Sequence, residues 1–421
     1  MNTDIPSLLR QSFEHLLTFA RPDAVMKAHI PTPPKGRLIV IGAGKASAAM
    51  AAAFEKHYTG KIEGIVVTRY GFDVPTQHIQ ILQAAHPVPD LAGVEAVEQI
   101  MALLKTAGKD DLVICLLSGG GSALLTAPVD GVSFEDIQNL NKQLLASGAP
   151  IQDMNIVRKH LNKALGGGLA QALPHTKLIT LSISDVVGDD PSSIASGPTV
   201  ADPSTLKDAA NILHRYEIIP PASIEQALQN PMNETPKPGD PVFDKNEYVF
   251  IATPSMALEA GANFWKDQGY TTLIWDQNME GDTNLCARKH IDFIQRILDG
   301  HENISRPCAI ISGGETTVKI TGDGTGGPNT QFMLQSVILL NSAQNIYGMA
   351  CDTDGIDGAG DNAGAFITPY TLLAAKENGL DAASYLEDND SYHFFKKMGQ
   401  LIKSGPTYTN VNDIRIFLIN A

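Results

Sequence analysis

A loop of five residues, Ser118-Gly119-Gly120-Gly121-Ser122, follows directly on the apolar run 112–117. Glycine carries no Cβ, so backbone N–H groups there can converge on an anion. A second loop of the same kind, Ser312-Gly313-Gly314-Glu315, follows the apolar residues 309–311. A third turn, Gly42-Ala43-Gly44-Lys45-Ala46-Ser47, ends another apolar run and carries a lysine inside it. Carboxylates gather in two places: Asp185, Asp189 and Asp190 in one stretch, and Asp352, Asp354 and Asp357 in another, among Gly355 and Gly358. Glycine turns that hold phosphate, a lysine that neutralises it and acids that hold Mg²⁺ are the parts phosphoryl transfer requires.

Each motif also has a purely structural reading. The turn at Gly42 and Gly44 lacks the longer glycine spacing of a Walker A loop. As a dinucleotide fingerprint it has Ser47 at the third glycine position, and the second strand runs into Arg69 where an acid would mark NAD. Lys45 is read as a cation aimed at phosphate, against a tight turn with a surface lysine. Asp185 and Asp189 fit either Mg²⁺ or an Asx turn. The Asp352–Asp357 stretch resembles half an EF-hand loop, but Ala363 stands where its closing Glu belongs, so the acids suit Mg²⁺ or substrate hydroxyls rather than Ca²⁺. Asn329, after the glycine-rich 322–327 segment, is an N-cap or a ligand contact. His86 has no Ser or Cys partner for a triad. Arg158, Lys159 and His160 make the densest cationic patch, either a solvated surface or a site for an anion.

The elements that must position these groups follow an alternating pattern. Strands are expected at 37–41, 65–68, 79–82, 112–117 and 178–183, and helices at 45–57, 91–107 and 151–169. Residues 230–241 hold four prolines and a glycine, a boundary or a long surface loop. Beyond them the alternation resumes, with strands at 248–252, 272–275, 309–311, 316–320, 346–350 and 414–419, and helices at 255–268, 283–298 and 331–340. Strands alternating with helices imply an α/β fold. The expectation is two domains, 1–240 and 241–421. Each has a mainly parallel sheet flanked by helices, the first is Rossmann-like, and an active-site cleft lies between them. The last strand is compatible with either domain.

The bulk numbers narrow the class. The chain has 421 residues, 43% hydrophobic and 18% charged, as a globular protein of two domains would. A net charge of −15 argues against nucleic acid but leaves room for a small anionic substrate in a locally cationic cleft. The four cysteines, Cys115, Cys286, Cys308 and Cys351, show no metal or redox spacing. No signal peptide and no membrane-spanning apolar run is visible, so a cytoplasmic enzyme is expected, and base rates suggest a homodimer.

Seven segments in this order resemble the class II glycerate 2-kinases. They are Gly42-Ala-Gly-Lys-Ala46, His86-Pro-Val-Pro-Asp90, Leu117-Ser-Gly-Gly-Gly-Ser-Ala-Leu-Leu125, Ser184-Asp-Val-Val-Gly-Asp-Asp-Pro191, Ala195-Ser-Gly-Pro-Thr199, Ile311-Ser-Gly-Gly-Glu-Thr-Thr317 and Asp352-Thr-Asp-Gly-Ile-Asp-Gly358. The C-terminal part, about 305–415, is similar to the MOFRL domain of that family. The resemblance implies ATP- and Mg²⁺-dependent phosphorylation of D-glycerate at its 2-hydroxyl. Relatives have also carried the label hydroxypyruvate reductase. Two positions depart from the family pattern. Pro328 stands where many relatives have an arginine, and Asn162 and Leu165 replace a serine and a lysine, which leaves a related polyhydroxy acid open as substrate.

On this reading Lys45, Asp185, Asp189 and Asp354 are the catalytic candidates. Gly42, Gly44, Ser118, Gly119, Gly120, Gly121, Ser122, Gly313, Gly314 and Glu315 would hold ATP phosphates or the substrate carboxylate. His86, Arg158 and Asn329 would contact a glycerate-like anion. Asp185, Asp189, Asp354 and Asp357 would hold Mg²⁺. An NAD(P)H-dependent hydroxypyruvate reductase is the alternative enzyme, and a two-domain sensor of an anionic metabolite is the non-catalytic one.

Overall fold

The computed structural model describes residues 4–186, 188–343 and 345–420. The chain divides into two compact units, residues 25–251 and residues 1–24 with 252–421. The first unit is built on strands β1 (Leu38–Ala43), β2 (Ile62–Arg69), β3 (Ile79–Ala84), β4 (Leu112–Leu117), β5 (Lys177–Ile183) and β6 (Glu247–Ala252). They lie in the order β3-β2-β1-β4-β5-β6. The pairings from β3 through β5 are all parallel. Every residue of β1 and β4 is buried, because helices cover both faces and leave no place for alternation. The order reverses between β1 and β4, so the turns that follow these two strands sit at the topological switch point.

Four helices, Phe134–Ala146, Ile151–His160, Leu206–Arg215 and Ala222–Gln229, contribute to a separate apolar cluster that includes Leu140, Leu144, Val157, Ile212 and Ile224. The helix expected over 151–169 stops at His160, and a short one follows at Gly168–Gln171. Gly166 and Gly167 between them both have positive φ, which helix cannot accommodate. The proline-rich stretch belongs to this unit and holds two single 3₁₀ turns, Pro231–Asn233 and Pro241–Phe243.

The second unit has strands β7 (Thr271–Asp276), β8 (Gly281–Asp282), β9 (Cys308–Ser312), β10 (Thr316–Thr317), β11 (Ile346–Asp352), β12 (Gly364–Ile367), β13 (Leu401–Ile402) and β14 (Asp413–Ile419). Its main sheet has the order β13-β12-β11-β14-β9-β7. Here the expectation of a mainly parallel sheet is corrected. Only β7 and β9 run parallel, and the pairs β9–β14, β14–β11, β11–β12 and β12–β13 are antiparallel. The last strand, left open by the sequence, is central here, inserted between β9 and β11. It comes from the far end of the chain and pairs antiparallel with both neighbours. β10 ends at Thr317, short of the expected 316–320, and pairs only with β8.

The N-terminal helix Ile5–Leu17 is amphipathic and buries Leu9, Phe13, Leu16 and Leu17. It packs against helix Pro254–Asp267 and thereby joins the second unit, not the expected 1–240 domain.

Candidate active site

In the first unit, the turns after β1, β3, β4 and β5 bring four of the expected groups together. The turn after β1 is tied to the loop after β4 by three contacts. Lys45 N–H donates to Gly119 O at 2.9 Å, Ala46 N–H to Ser118 Oγ at 3.0 Å, and Ser118 N–H to Ala43 O at 3.2 Å. Ser47 Oγ adds a bond to Leu116 O at 3.0 Å. Ser118 and Ser47 are therefore braces, buried and consumed by the fold. The same bonds correct the expectation that Gly42 and Gly44 offer an amide cradle. Gly44 N–H donates to Val67 O at 3.1 Å and Gly42 is paired within the sheet, so the two glycines' own amides are taken up by the fold. A Cβ on Gly44 would lie 2.1 Å from Ser118 Oγ, so glycine there serves close packing.

The loop after β4 is different. Among the described residues the N–H groups of Gly119 and Gly120 have no hydrogen-bond partner. Asp185, after β5, lies directly against Gly119: a Cβ there would come within 1.7 Å of Asp185 Oδ2. His86, after β3, lies against Gly120, where a Cβ would meet Nε2 at 2.8 Å. Burial pushes the His86 imidazole down to about 4, helped by the charges of Lys45 and Arg69. His86 is thus neutral at physiological pH and offers a hydrogen bond rather than a charge. Ser122 Oγ meets Ser196 Oγ at 2.8 Å. Ser196 lies in a run of left-handed residues, Ala195, Ser196 and Gly197. Strain of this kind at non-glycine positions costs about 1–3 kcal/mol each and persists where the surroundings enforce it.

Asp189 also has a positive φ, and its Oδ1 is buried with no hydrogen-bond partner among the described residues. Asp190 instead caps its own loop, accepting from the Ser192 and Ser193 hydroxyls. The expected cationic patch resolves into three unlike residues. Lys159 is buried beside Asp202 at 3.5 Å. His160 is buried between Ile156 O and Glu234 Oε1. Arg158 alone of the three has no carboxylate partner among the described residues; its guanidinium donates to Asn141 Oδ1 at 2.9 Å and Asn155 Oδ1 at 3.2 Å. The helix bearing Asn141 also touches the His86 loop, through Gln138 Nε2 and Pro89 O.

In the second unit the acids take more divided roles. Asp357 is 1% exposed and caps helix Pro328–Leu340. It accepts from Asn329 N–H at 2.8 Å, Thr330 N–H at 2.8 Å, Thr330 Oγ1 at 2.7 Å and Asn329 Nδ2 at 3.3 Å. Both its oxygens are occupied, which corrects the reading of Asp357 as a metal ligand. Asn329 is buried; its Nδ2 is shared between Asp357 and Asp413, while its Oδ1 has no hydrogen-bond partner among the described residues. Asp354 accepts from Ile356 N–H through Oδ1 at 2.8 Å. Glu315 is exposed.

Sequence reasoning missed Asp413 and Arg415. Arg415 is fully buried and pairs with Asp413 at 2.8 Å. Burial pushes the Asp413 carboxyl up, against the pull of Arg415 and the Asn329 amide. The available signal was an Asp-Ile-Arg alternation inside an apolar strand, which is costly unless both charges are satisfied inside.

Among the described residues no three His, Cys, Asp or Glu side chains gather closely enough to hold a metal ion. No helix among them is long and apolar enough to cross a membrane.

A switch-point loop whose Gly119 and Gly120 amides have no partner among the described residues, with a lysine and a carboxylate beside it, is the arrangement of an α/β protein with a ligand crevice at its sheet edge. The comparisons narrow this class. Residues 8–229 match the model described as "Domain of unknown function (DUF4147)", and residues 308–413 match the MOFRL family. A putative hydroxypyruvate reductase of Agrobacterium vitis is 46% identical over 98% of this chain and 94% of its own length. The D-glycerate 2-kinase of Thermotoga maritima is 36% identical over 94% of each chain. The crystal structure of a Thermotoga maritima glycerate kinase superposes with a TM-score of 0.92 at 34% identity and covers 99% of both chains. The chain belongs to the glycerate kinase family.

Proposed function

We propose that this protein is a kinase that transfers a phosphoryl group from ATP to the 2-hydroxyl of D-glycerate or a close hydroxy acid. The reading is carried by one observation: Lys45, the free Gly119 and Gly120 amides, His86 and Asp185 are assembled at the carboxyl edge of one parallel sheet, at its switch point. Family membership supports a nucleotide as phosphoryl donor. Lys45 neutralises charge on the transferred group, and the Gly119 and Gly120 amides bind its oxygens. Neutral His86 hydrogen-bonds the acceptor. Arg158, a half-buried cation held among the described residues by neutral amides, receives the carboxylate of the acid.

The hard oxygen donors of this unit fit Mg²⁺. Asp189 Oδ1 is a buried acceptor without a donor among the described residues, and Asp185, four residues earlier, lies against the crest. With two carboxylates rather than a cage, the site suits an ion that keeps several waters and arrives on substrate phosphates. Mg²⁺ bound there supplies charge neutralisation on the phosphate oxygens. Asp185 and Asp189 would hold it, and Asp354 is a candidate to orient the acceptor hydroxyl.

A coupled ADP assay over three- and four-carbon hydroxy acids, with phosphorus NMR of the product, tests the reading. ADP release with D-glycerate and a phosphomonoester on C2 are expected. Oxidation of NADH with hydroxypyruvate in the absence of ATP, and no ADP with any acid, would overturn it.

A further inference from the structure

The loop after β9 carries a device not found in the loop after β4. Arg415 on β14 lies opposite Ser312 in the antiparallel register. Its Nη1 donates to Gly313 O at 3.1 Å and to Gly314 O at 3.4 Å. Nη2 donates to Thr316 Oγ1 at 3.3 Å and to Asp413 Oδ2 at 2.8 Å. The guanidinium carbon lies 5.0 Å from the centre of the Phe332 ring. Only a planar fork can serve acceptors in so many directions at once.

The consequence lies in the peptide planes. In a trans peptide the N–H points opposite to the preceding C=O. With the carbonyls of Gly313 and Gly314 drawn in to Arg415, the N–H groups of Gly314 and Glu315 are turned away from it. Among the described residues neither has a hydrogen-bond partner. Gly313 N–H, by contrast, is used by Asp276 O at 2.8 Å. Gly314 has φ +94, and a Cβ there would meet Met279 O at 2.3 Å, so only glycine fits this turn. Asp413 holds Arg415 on one side and Asn329 Nδ2 on the other, at 2.7 Å. Through Asn329 the fork is tied to Asp357 and the start of helix Pro328–Leu340.

We propose that Arg415 is a positioning residue that inverts the Ser312–Glu315 turn, so that the Gly314 and Glu315 amides bind an oxyanion of the nucleotide or of the acid. The assignment rests on the kinase reading for the identity of these ligands, but not for the existence of the site. Phosphate and carboxylate oxygens share the chemistry the two amides recognise. The exposed Glu315 carboxylate and the Asp413 charge oppose an anion there, and Arg415 offsets them.

The test follows the Gly314 and Glu315 amide resonances of the wild-type protein during separate titrations with the Mg²⁺ complex of a non-hydrolysable ATP analogue, D-glycerate and inorganic phosphate. Saturable shifts of both amides with at least one probe are expected, and the probe that moves them identifies the source. In Arg415→Lys those shifts should vanish while the melting temperature shows the fold intact. KM for the same ligand should rise about tenfold or more, with kcat changing less. Amides silent to all three probes overturn the inference, as does an Arg415→Lys protein with unchanged shifts. ADP release is scored separately. A silent turn in an active kinase overturns this inference alone, and a responding turn in an inactive protein overturns the kinase reading alone.

Discussion

Lys45 and His86 show how one environment assigns two bases different tasks. Lys45 stands at the carboxyl edge of β1, and burial beside it keeps His86 uncharged. The division predicts a large loss from Lys45→Ala: kcat down by about 10²–10³, or ~2.7–4 kcal/mol of barrier. Steady-state rates within a few-fold of wild type would remove Lys45 from the chemistry. His290 is a second buried imidazole, lowered to about 3 by desolvation and by Arg415. Its Nε2 meets Ser312 Oγ at 3.2 Å, and Nδ1 has no partner among the described residues. A histidine depressed in the folded state takes up its proton first in the unfolded chain. Stability is therefore lost as pH falls below 6.5, by up to about 1.4 kcal/mol per pH unit for each such proton. His290→Phe, placed among Trp275, Phe332 and Phe417, should make this slope shallower by one proton between pH 6.5 and 4. Urea midpoints measured across that range decide it, because His86 and Asp413 contribute to both proteins alike.

Loops and helix starts decide what the element scale adds. Gly119 leaves room for Asp185, and no side chain can be added without displacing that carboxylate. Gly119→Ala should abolish most activity and move the melting temperature less, since the added methyl meets the Asp185 side chain rather than backbone. A variant with near wild-type kcat would show that Asp185 need not lie against the crest. Asp357 presents the opposite case. It satisfies four donors at the start of helix Pro328–Leu340, and Asp357→Asn turns part of that acceptor into a donor facing donors. A loss of about 1–3 kcal/mol is expected from leaving buried partners unmet. It would appear as a lower denaturation midpoint in the second unit, and an unchanged midpoint would contradict the capping role.

At the scale of the whole molecule, the two units carry separate cores. The chain enters the second unit first, leaves it at residue 24 and returns at residue 252. Helix Ile5–Leu17 therefore stabilises a unit far away in sequence. Removing residues 1–24 uncovers the face of helix Pro254–Asp267 that Leu16 approaches. Hydrogen exchange should then lose protection in residues 252–421 while β1 to β5 keep theirs. Loss in β1 to β5 instead would assign the helix to the first unit.

The sequence by itself determined what short range dictates: the apolar runs of β1, β4, β5 and β9, the glycine loops that end them, the amphipathic helices and the acids in turns. Local physics suffices there, because strand burial, turn conformation and capping depend on neighbours in the chain. It also singled out Lys45, the Gly119–Gly120 loop, His86 and Asp185, which lie at one edge of the first sheet because a parallel strand delivers its following loop there. What only the tertiary structure decided are matters of long-range pairing. Residue identity could not tell that Asp357 is consumed as a cap, that Lys159 and His160 are buried, or that β14 enters its sheet antiparallel. Nor could it tell that Arg415, at the far end of the chain, aims a turn about a hundred residues earlier. Each depends on which partner saturates a hydrogen-bonding group, and that partner is chosen by packing between distant segments.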